Sequence, residues 1–246
     1  MRKLGSSVVS PLSGRYIFID QEVVLFSYKK IEMPYDVIGH SMRSQTIINR
    51  MLIMREVYLK VHNVHLEEYK LMEHLDKQEY ERTKDDETDE FYEYEYANRL
   101  QELDLLFYRI HRASTLLMIY SFLEHSMMRI CSIYEEILNI PISVNELSGK
   151  GIQRCKMYLS KFSSFDFSDE SIKRDWDFLK FLNQLRNCLA HEEGYLSDKS
   201  KIKKSTINGT KGLSMYNDTI LISHEYVLCA FDITERFLIR FCDNKI

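Results

Sequence analysis

The apolar positions of the chain recur at helical spacing over its longest stretches. Between residues 36 and 80, apolar side chains return every three or four positions, as expected for one face of an amphipathic helix. The stripe includes Ile48, Met51, Leu52, Tyr58 and Leu59. This pattern predicts one long helix, either continuous or broken near His62.

Four further helices are predicted downstream. The same spacing returns between residues 98 and 138, and Pro141 ends that helix because proline cannot donate a helical hydrogen bond. The other three are predicted at residues 152–162, 171–191 and 224–242. Gly194 lies where it can terminate the helix at 171–191, and Ser223 lies where it can cap the start of the helix at 224–242.

Short β-rich runs interrupt this helical pattern. Residues 15–28 read RYIFIDQEVVLFSY, which predicts either a hairpin or an ordered arm packed on the helices. Residues 213–215 and 219–222 flank Asn217 and Asp218, a turn sequence that predicts a second small hairpin.

Composition favours an all-α fold. The chain of 246 residues has only 8 Gly and 3 Pro, with no Gly between Gly39 and Gly149. Proline breaks helices and glycine weakens them, so we expect at least about 60% helix. The five scattered cysteines form no C-x-x-C pair, and no cofactor is expected. No apolar run is long enough to cross a bilayer or to form a signal peptide, so we expect a cytoplasmic protein without membrane contact.

Charge is distributed unevenly along the chain. Seven of the eleven residues at 85–95 are acidic, which predicts either an exposed linker or a helix start. The Lys- and Ser-rich residues 198–212 predict a flexible loop. The net charge of −4 argues against a general nucleic-acid coat. Between Pro141 and Gly212, however, 13 Lys and Arg face 9 Asp and Glu, a local +4 that leaves −8 for the remainder. RNA therefore stays a candidate partner.

The predicted helix at 171–191 separates an apolar face from a polar one. Its core stripe lies within an arc of about 60° and consists of Phe178, Leu182, Leu185 and Leu189. Arg186, Asn187 and His191 leave that stripe, with Arg186 and His191 about 140° apart around the helix axis. A two-fold pair of such helices would bring two Arg and two His into one cleft.

Arg186 and His191 are residue types suited to RNA cleavage. Imidazole exchanges protons near neutral pH, and a guanidinium holds a phosphate and stabilises charge that grows on it. RNA supplies its own nucleophile, the 2′-hydroxyl, so transesterification requires no metal in principle. The spacing of Arg186 and His191 alone is equally consistent with a solvated helix end without catalytic function, where His191 interacts favourably with the C-terminal end of the helix dipole.

The surrounding sequence resembles the HEPN superfamily. LNQLRNCLAHEEGYL is similar to its signature, in which an Arg, usually followed by a polar residue, is separated from a His by four to six residues. The segments GKGIQRCKMYL, DWDFLKFLNQLRN with Trp176, and LLMIYSFLEHSMMRIC with Phe122 and Glu124 resemble the family as well. The resemblance covers about residues 100–242 and does not extend to residues 1–98.

The resemblance implies a helical bundle of four to five helices at 99–246 that dimerises across the motif, with residues 1–98 as a helical extension. Many members are metal-independent endoribonucleases that act as toxins or defence effectors. Carried over, Arg186 and His191 are catalytic and Asn187 supports them, while Glu124 either orients the Arg or forms a surface pair. The implied partners are RNA, a second copy of the chain, and an antitoxin or defence-system protein.

Three histidine and tyrosine positions need separate interpretation. One HEPN subgroup carries a Tyr two residues after the His as the target of its antitoxin, but this chain has Glu193 there. Tyr195 follows two positions later and is kept as a candidate modification site. His62 and His65 have metal-ligand spacing, but no third His matches, so we interpret them as a surface pair and expect no metal.

Two functional hypotheses follow from the sequence. The first is a dimeric endoribonuclease, favoured by the intact Arg-Asn…His set. The second is a catalytically inactive HEPN-type module that binds a nucleotide or a protein, favoured by the acidic balance of the chain.

Overall fold

A computed structural model describes residues 39–83, 94, 98, 107–198 and 200–243. This structure is 75% helix with one small two-stranded sheet, which confirms a mostly helical fold. The predicted hairpin or arm at residues 15–28 lies outside the described residues, as does the acidic linker apart from Tyr94.

The described ranges contain six helices and one antiparallel hairpin. In chain order they are α1 Gly39–Thr83, α2 Arg109–Leu138, α3 Gly151–Phe162, α4 Glu170–His191, α5 Lys204–Asn208, β1 Leu213–Tyr216, β2 Thr219–Ile222 and α6 His224–Asp243. All five helices predicted from the apolar spacing are present. Helix α1 is continuous through His62, so the alternative of a break there is wrong.

Helix α2 lies at the centre of the packing. It contacts α1, α3, α4 and α6, and α6 in turn packs on α1 and α4. Its fully buried apolar side chains are Leu116, Ile119, Leu123, Met127 and Cys131. Because α2 contacts the four other long helices, the core is continuous from α1 to α6 within the compact unit Ile38–Ile246. A domain boundary at residue 98 stays a prediction.

The segment predicted as a flexible loop is partly helical, so that prediction is wrong. Helix α5 forms inside residues 198–212, where Ile202 and Ile207 are buried. Lys204 Nζ lies 2.6 Å from Asp218 Oδ1, which ties the helix to the hairpin turn. The apolar residues that hold the segment are Ile202 and Ile207. Two apolar residues in a polar stretch do not produce the helical spacing from which a helix could be predicted.

The hairpin and the start of α6 follow the prediction closely. Strands β1 and β2 pair Leu213 with Ile222 and Tyr216 with Thr219, and the turn residues between them have positive φ. Ser223 Oγ accepts a hydrogen bond from the Tyr226 amide at 3.2 Å, as expected of an N-cap. None of the helices in the described ranges combines the length and apolar content needed to cross a membrane.

Candidate functional site

Helix α4, which carries the Arg-Asn…His motif, is anchored over its N-terminal part. At its start the Asp169 carboxylate accepts from the Ser171 and Ile172 amides at 2.9 and 3.2 Å. One turn on, buried Asp175 accepts from Arg236 Nε at 3.0 Å and from Arg240 Nη1 at 3.2 Å, both on α6. These contacts fix the rotation of α4, so its polar face keeps a defined direction.

The buried face of α4 agrees with the predicted core stripe. Leu182, Leu185 and Leu189 are buried, and Phe178 is half-buried against the same core. The motif side chains leave this face, as predicted: Arg186 is half-buried, and Asn187 and His191 are exposed.

The Arg186 guanidinium is held from two sides. Its Cζ lies over the ring of Tyr120 on α2, 5.3 Å from the centroid, a favourable cation–π arrangement. Its Nη1 donates to Asn187 Oδ1 at 2.7 Å, and Asn187 Nδ2 donates to Asn183 Oδ1 at 3.4 Å. Asn187 therefore touches Arg186 directly, the contact expected of a supporting residue.

His191 is the last residue of α4, and the turn after it is fixed by other elements. Glu193 and Gly194 adopt positive φ of 52° and 76°, and the Gly194 amide donates back to the Cys188 carbonyl at 3.1 Å. The Arg109 side chain of α2 donates to the Glu193 carbonyl, and the Ile220 amide of β2 donates to Gly194 at 2.9 Å. The position of His191 at the helix end is thereby specified.

Arg186 and His191 are not joined within one chain. Among the described residues no hydrogen bond connects them, and the helix separates them by about 140°. Both side chains nevertheless border the same polar face of α4. A single copy therefore presents the two groups on different sides of the helix rather than as one site.

Glu124 and Arg186 both act on Tyr120, but no ion pair joins the two described side chains. The Glu124 carboxylate instead packs against the start of α3, because a Cβ built on Gly151 would lie only 2.5 Å from Glu124 Oε1. The hydroxyl oxygen of Tyr120 would lie 3.7 Å from the same added Cβ. Gly151 also has a φ of +55°, a conformation that favours glycine for a second reason.

Tyr120 connects these groups electrostatically. Burial raises the pKa of Tyr120 well above its ordinary value, the negative charge of Glu124 raises it further, and Arg186 opposes both effects. The phenol stays protonated at any physiological pH. Tyr120 is a neutral aromatic platform for Arg186 and a potential hydrogen-bond donor beside Glu124.

Tyr195 has a side chain that is accessible, as a modification site requires. It is 51% exposed, while its backbone forms an isolated antiparallel bridge with Thr219. Its carbonyl oxygen lies 3.8 Å from Cys188 Sγ. The backbone of Tyr195 is therefore held by the hairpin, while its phenol is accessible to another molecule.

His62 and His65 do not form the surface pair that the sequence suggested, and that interpretation is wrong. Both are half-buried, and their rings pack with those of Tyr58, Tyr108, His111 and His224 where α1, α2 and α6 meet. The Nδ1 atoms of His62, His65 and His111 are buried without a hydrogen-bond partner. Within the described ranges, no group of three or more His, Cys, Asp or Glu side chains has an arrangement that would hold a metal ion.

Comparison of the chain with protein-family models, with curated proteins and with solved structures finds no match.

Sequence reasoning missed three residues that shape the motif environment: Tyr120, Gly151 and Arg109. Tyr120 carries a usable signal, since it precedes Glu124 by four residues and so shares its helix face. The sequence around Arg109 contains no such signal, because the contact of Arg109 with the Glu193 carbonyl joins residues 84 positions apart.

Proposed function

We propose that this chain is a metal-independent endoribonuclease of the HEPN type, acting as a toxin or an antiviral defence effector. One observation supports this more than any other. Arg186 is held by Tyr120 and Asn187 on the same polar helix face that ends in exposed His191. A clamped guanidinium and an accessible imidazole are the two groups that phosphate transesterification needs, and a two-fold pair of α4 helices would bring one of each together.

The proposed reaction uses two copies of α4 related by a two-fold axis. His191 accepts the proton of the RNA 2′-hydroxyl, and the 2′-oxygen forms a bond to the adjacent phosphorus. The bond from phosphorus to the 5′-oxygen breaks, and that oxygen takes up a proton from water as it leaves. Protonated His191 then returns its proton to the solvent, which restores the neutral imidazole. Arg186 stabilises the negative charge on the phosphoryl oxygens, and the product is a 2′,3′-cyclic phosphate.

The test is cleavage of a labelled single-stranded RNA by the purified protein in EDTA. We expect His191→Ala to lower the rate about 10² to 10⁴-fold, the usual contribution of general acid–base catalysis. The matched control is His74→Ala, which removes an exposed histidine on α1. The control should cleave like the wild type, and DNA of the same sequence should remain intact because it lacks the 2′-hydroxyl.

A specific observation favours the second candidate, an inactive module that binds a nucleotide or a protein. Glu192 and Glu193 directly follow His191 and are both exposed, so they place negative charge beside the motif. Those carboxylates oppose the approach of a polyanion. Equal cleavage by wild type and His191→Ala, or no cleavage by either, would replace the nuclease proposal with this one.

A further inference from the structure

Helix α1 carries a second apolar face that no other described element covers. Five large apolar side chains, each more than half exposed, lie along it: Ile53, Val57, Val64, Leu71 and Leu75. At about 100° per residue they fall within an arc of about 40°. We call this set the α1 stripe. It runs for about 33 Å along the helix.

The α1 stripe is distinct from the face that holds α1 in the fold. The buried side chains of α1 are Ile47, Met51 and Tyr58, which centre about 120° away around the axis. That face packs against α6 and α2. Exposed apolar side chains aligned on one helix face mark a candidate interaction site.

The order of residues in the α1 stripe is symmetric about Val64. Ile53 and Leu75 are eleven residues to either side of it, and Val57 and Leu71 are seven residues to either side. In an antiparallel pair of identical helices, Ile53 of each copy therefore faces Leu75 of the other, and Val57 faces Leu71. Val64 faces itself at the two-fold axis, as an isologous contact requires.

Charges along one edge of the α1 stripe fit the same arrangement. Lys60 and Glu67 are exposed and border the same edge, four residues before and three residues after Val64. Antiparallel pairing brings Lys60 of each copy level with Glu67 of the other. Opposite charges that flank an apolar seam select the partner and the orientation of paired helices. Lys60 already forms a helix-surface pair with Glu56 at 2.8 Å, which leaves it extended along that edge.

We infer that two copies of this chain associate through the α1 stripe as an antiparallel helix pair with its two-fold axis at Val64. The inference goes beyond the proposed nuclease function and is independent of it. The α1 stripe is on α1, whereas Arg186 and His191 are on α4. Association of two copies through the α1 stripe can therefore be tested by measurements that do not depend on RNA cleavage.

Cross-linking of single cysteines in the full chain tests both the contact and its direction. The background is Cys229→Ser, because Cys229 is exposed and the other four cysteines are buried. With a short bis-maleimide, Val64→Cys should link to its own copy. Val57→Cys alone should not, because the two copies of residue 57 would be about 21 Å apart. Val57→Cys mixed with Leu71→Cys should link.

Mass measurement by light scattering at micromolar protein provides the second test. Val64→Glu would place two unpaired carboxylates together at the axis, so the dissociation constant should rise at least tenfold and the mass should fall by half. The matched control is Leu52→Glu, because Leu52 is 52% exposed on the same helix but about 120° from the stripe. The control should keep the wild-type mass.

Several outcomes would overturn the inference. Self-linking of Val57→Cys would mean a parallel pair, and an unchanged mass for Val64→Glu would mean that assembly uses another surface. A monomer with no link at Val64→Cys would mean that two copies do not pair through the α1 stripe.

Discussion

The imidazole rings of His62 and His224 are stacked, with centroids 4.0 Å apart and planes inclined by 12°. His65 and His111 stack in the same cluster at 5.6 Å. Tyr58 joins them, since its hydroxyl lies 2.9 Å from His224 Nδ1. Stacked imidazoles repel each other when protonated, so the cluster favours the neutral rings.

The cluster should make stability depend on pH. Burial lowers the pKa of His62 and His224 and lowers that of His111 to about 4, with Arg112 opposing protonation of all three. Glu225 partly counters this for His62 and His224. Unfolded histidines titrate near 6.5, so the unfolded chain binds more protons below that pH. The free energy of unfolding should fall as the pH decreases from 6.5 to about 4 and stay level between about pH 7 and 8.

Urea titrations followed by far-ultraviolet circular dichroism at a series of pH values measure this effect. His111→Phe keeps an aromatic ring beside Tyr58 and should flatten the dependence. His125→Gln, which changes an exposed histidine on α2, should leave it unaltered. Stability that rose toward pH 5 would contradict the prediction.

Gly151 should tolerate no side chain. Gly151→Ala forces a φ of +55° on a residue with a Cβ and places that Cβ against the Glu124 carboxylate. We expect a loss of about 1–2 kcal/mol in the free energy of unfolding from the backbone conformation alone. Adding Glu124→Ala should restore only the part of the free energy of unfolding that was lost through the contact between the new Cβ and the Glu124 carboxylate. A double-mutant cycle measures that part. Gly209→Ala, at a glycine of ordinary φ, should cost less.

Arg186 should not be replaceable by lysine. Its flat guanidinium stacks on Tyr120 and donates to Asn187 at the same time, whereas an ammonium on a flexible stem cannot make both contacts in that geometry. If the chain is a ribonuclease, Arg186→Ala should lower the cleavage rate about 10² to 10³-fold. Arg186→Lys should recover only a minor part of that loss while the circular dichroism spectrum stays unchanged.

The separation of Arg186 and His191 predicts complementation between inactive variants. If each site takes Arg186 from one copy and His191 from the other, a mixture of Arg186→Ala and His191→Ala protein forms dimers with one complete site. Random pairing should restore about a quarter of the wild-type activity. No recovery after unfolding and joint refolding would contradict a shared site.

The polar face of α4 should form the interface of such a dimer. Gln184 is exposed on that face, and Gln184→Arg would place like charges across the two-fold axis without repelling RNA. Activity should fall together with assembly through α4. Gln153→Arg on α3, also at an exposed position, is the matched control and should change neither.

The sequence predicted the helices because their cores repeat. In α4, Leu182, Leu185 and Leu189 recur at helical spacing, and the predicted start at residue 171 differs from the observed Glu170 by one position. Helix α5 was missed because Ile202 and Ile207 are held by tertiary contacts and give no period. The histidine cluster was missed because His62, His111 and His224 are remote in sequence, and no local pattern predicts contacts between three separate helices.

The motif residues illustrate the same limit at the site. That Arg186 and His191 would leave the core followed from the helix period, and their accessibility in the structure agrees with it. That Tyr120 would lie under Arg186 depended on how α2 packs against α4. The role of Gly151 likewise depended on where α3 begins relative to Glu124.

The turn after His191 is joined to the hairpin at Gly194 and again at Leu196, whose amide donates to the Asp218 carbonyl at 2.8 Å. The chain between Leu196 and Leu213 therefore leaves from and returns to neighbouring points of the same small sheet. Buried Ile202 and Ile207 hold this excursion against the core, so changes of charge at its exposed positions should leave the geometry of the Arg-Asn…His helix unaltered.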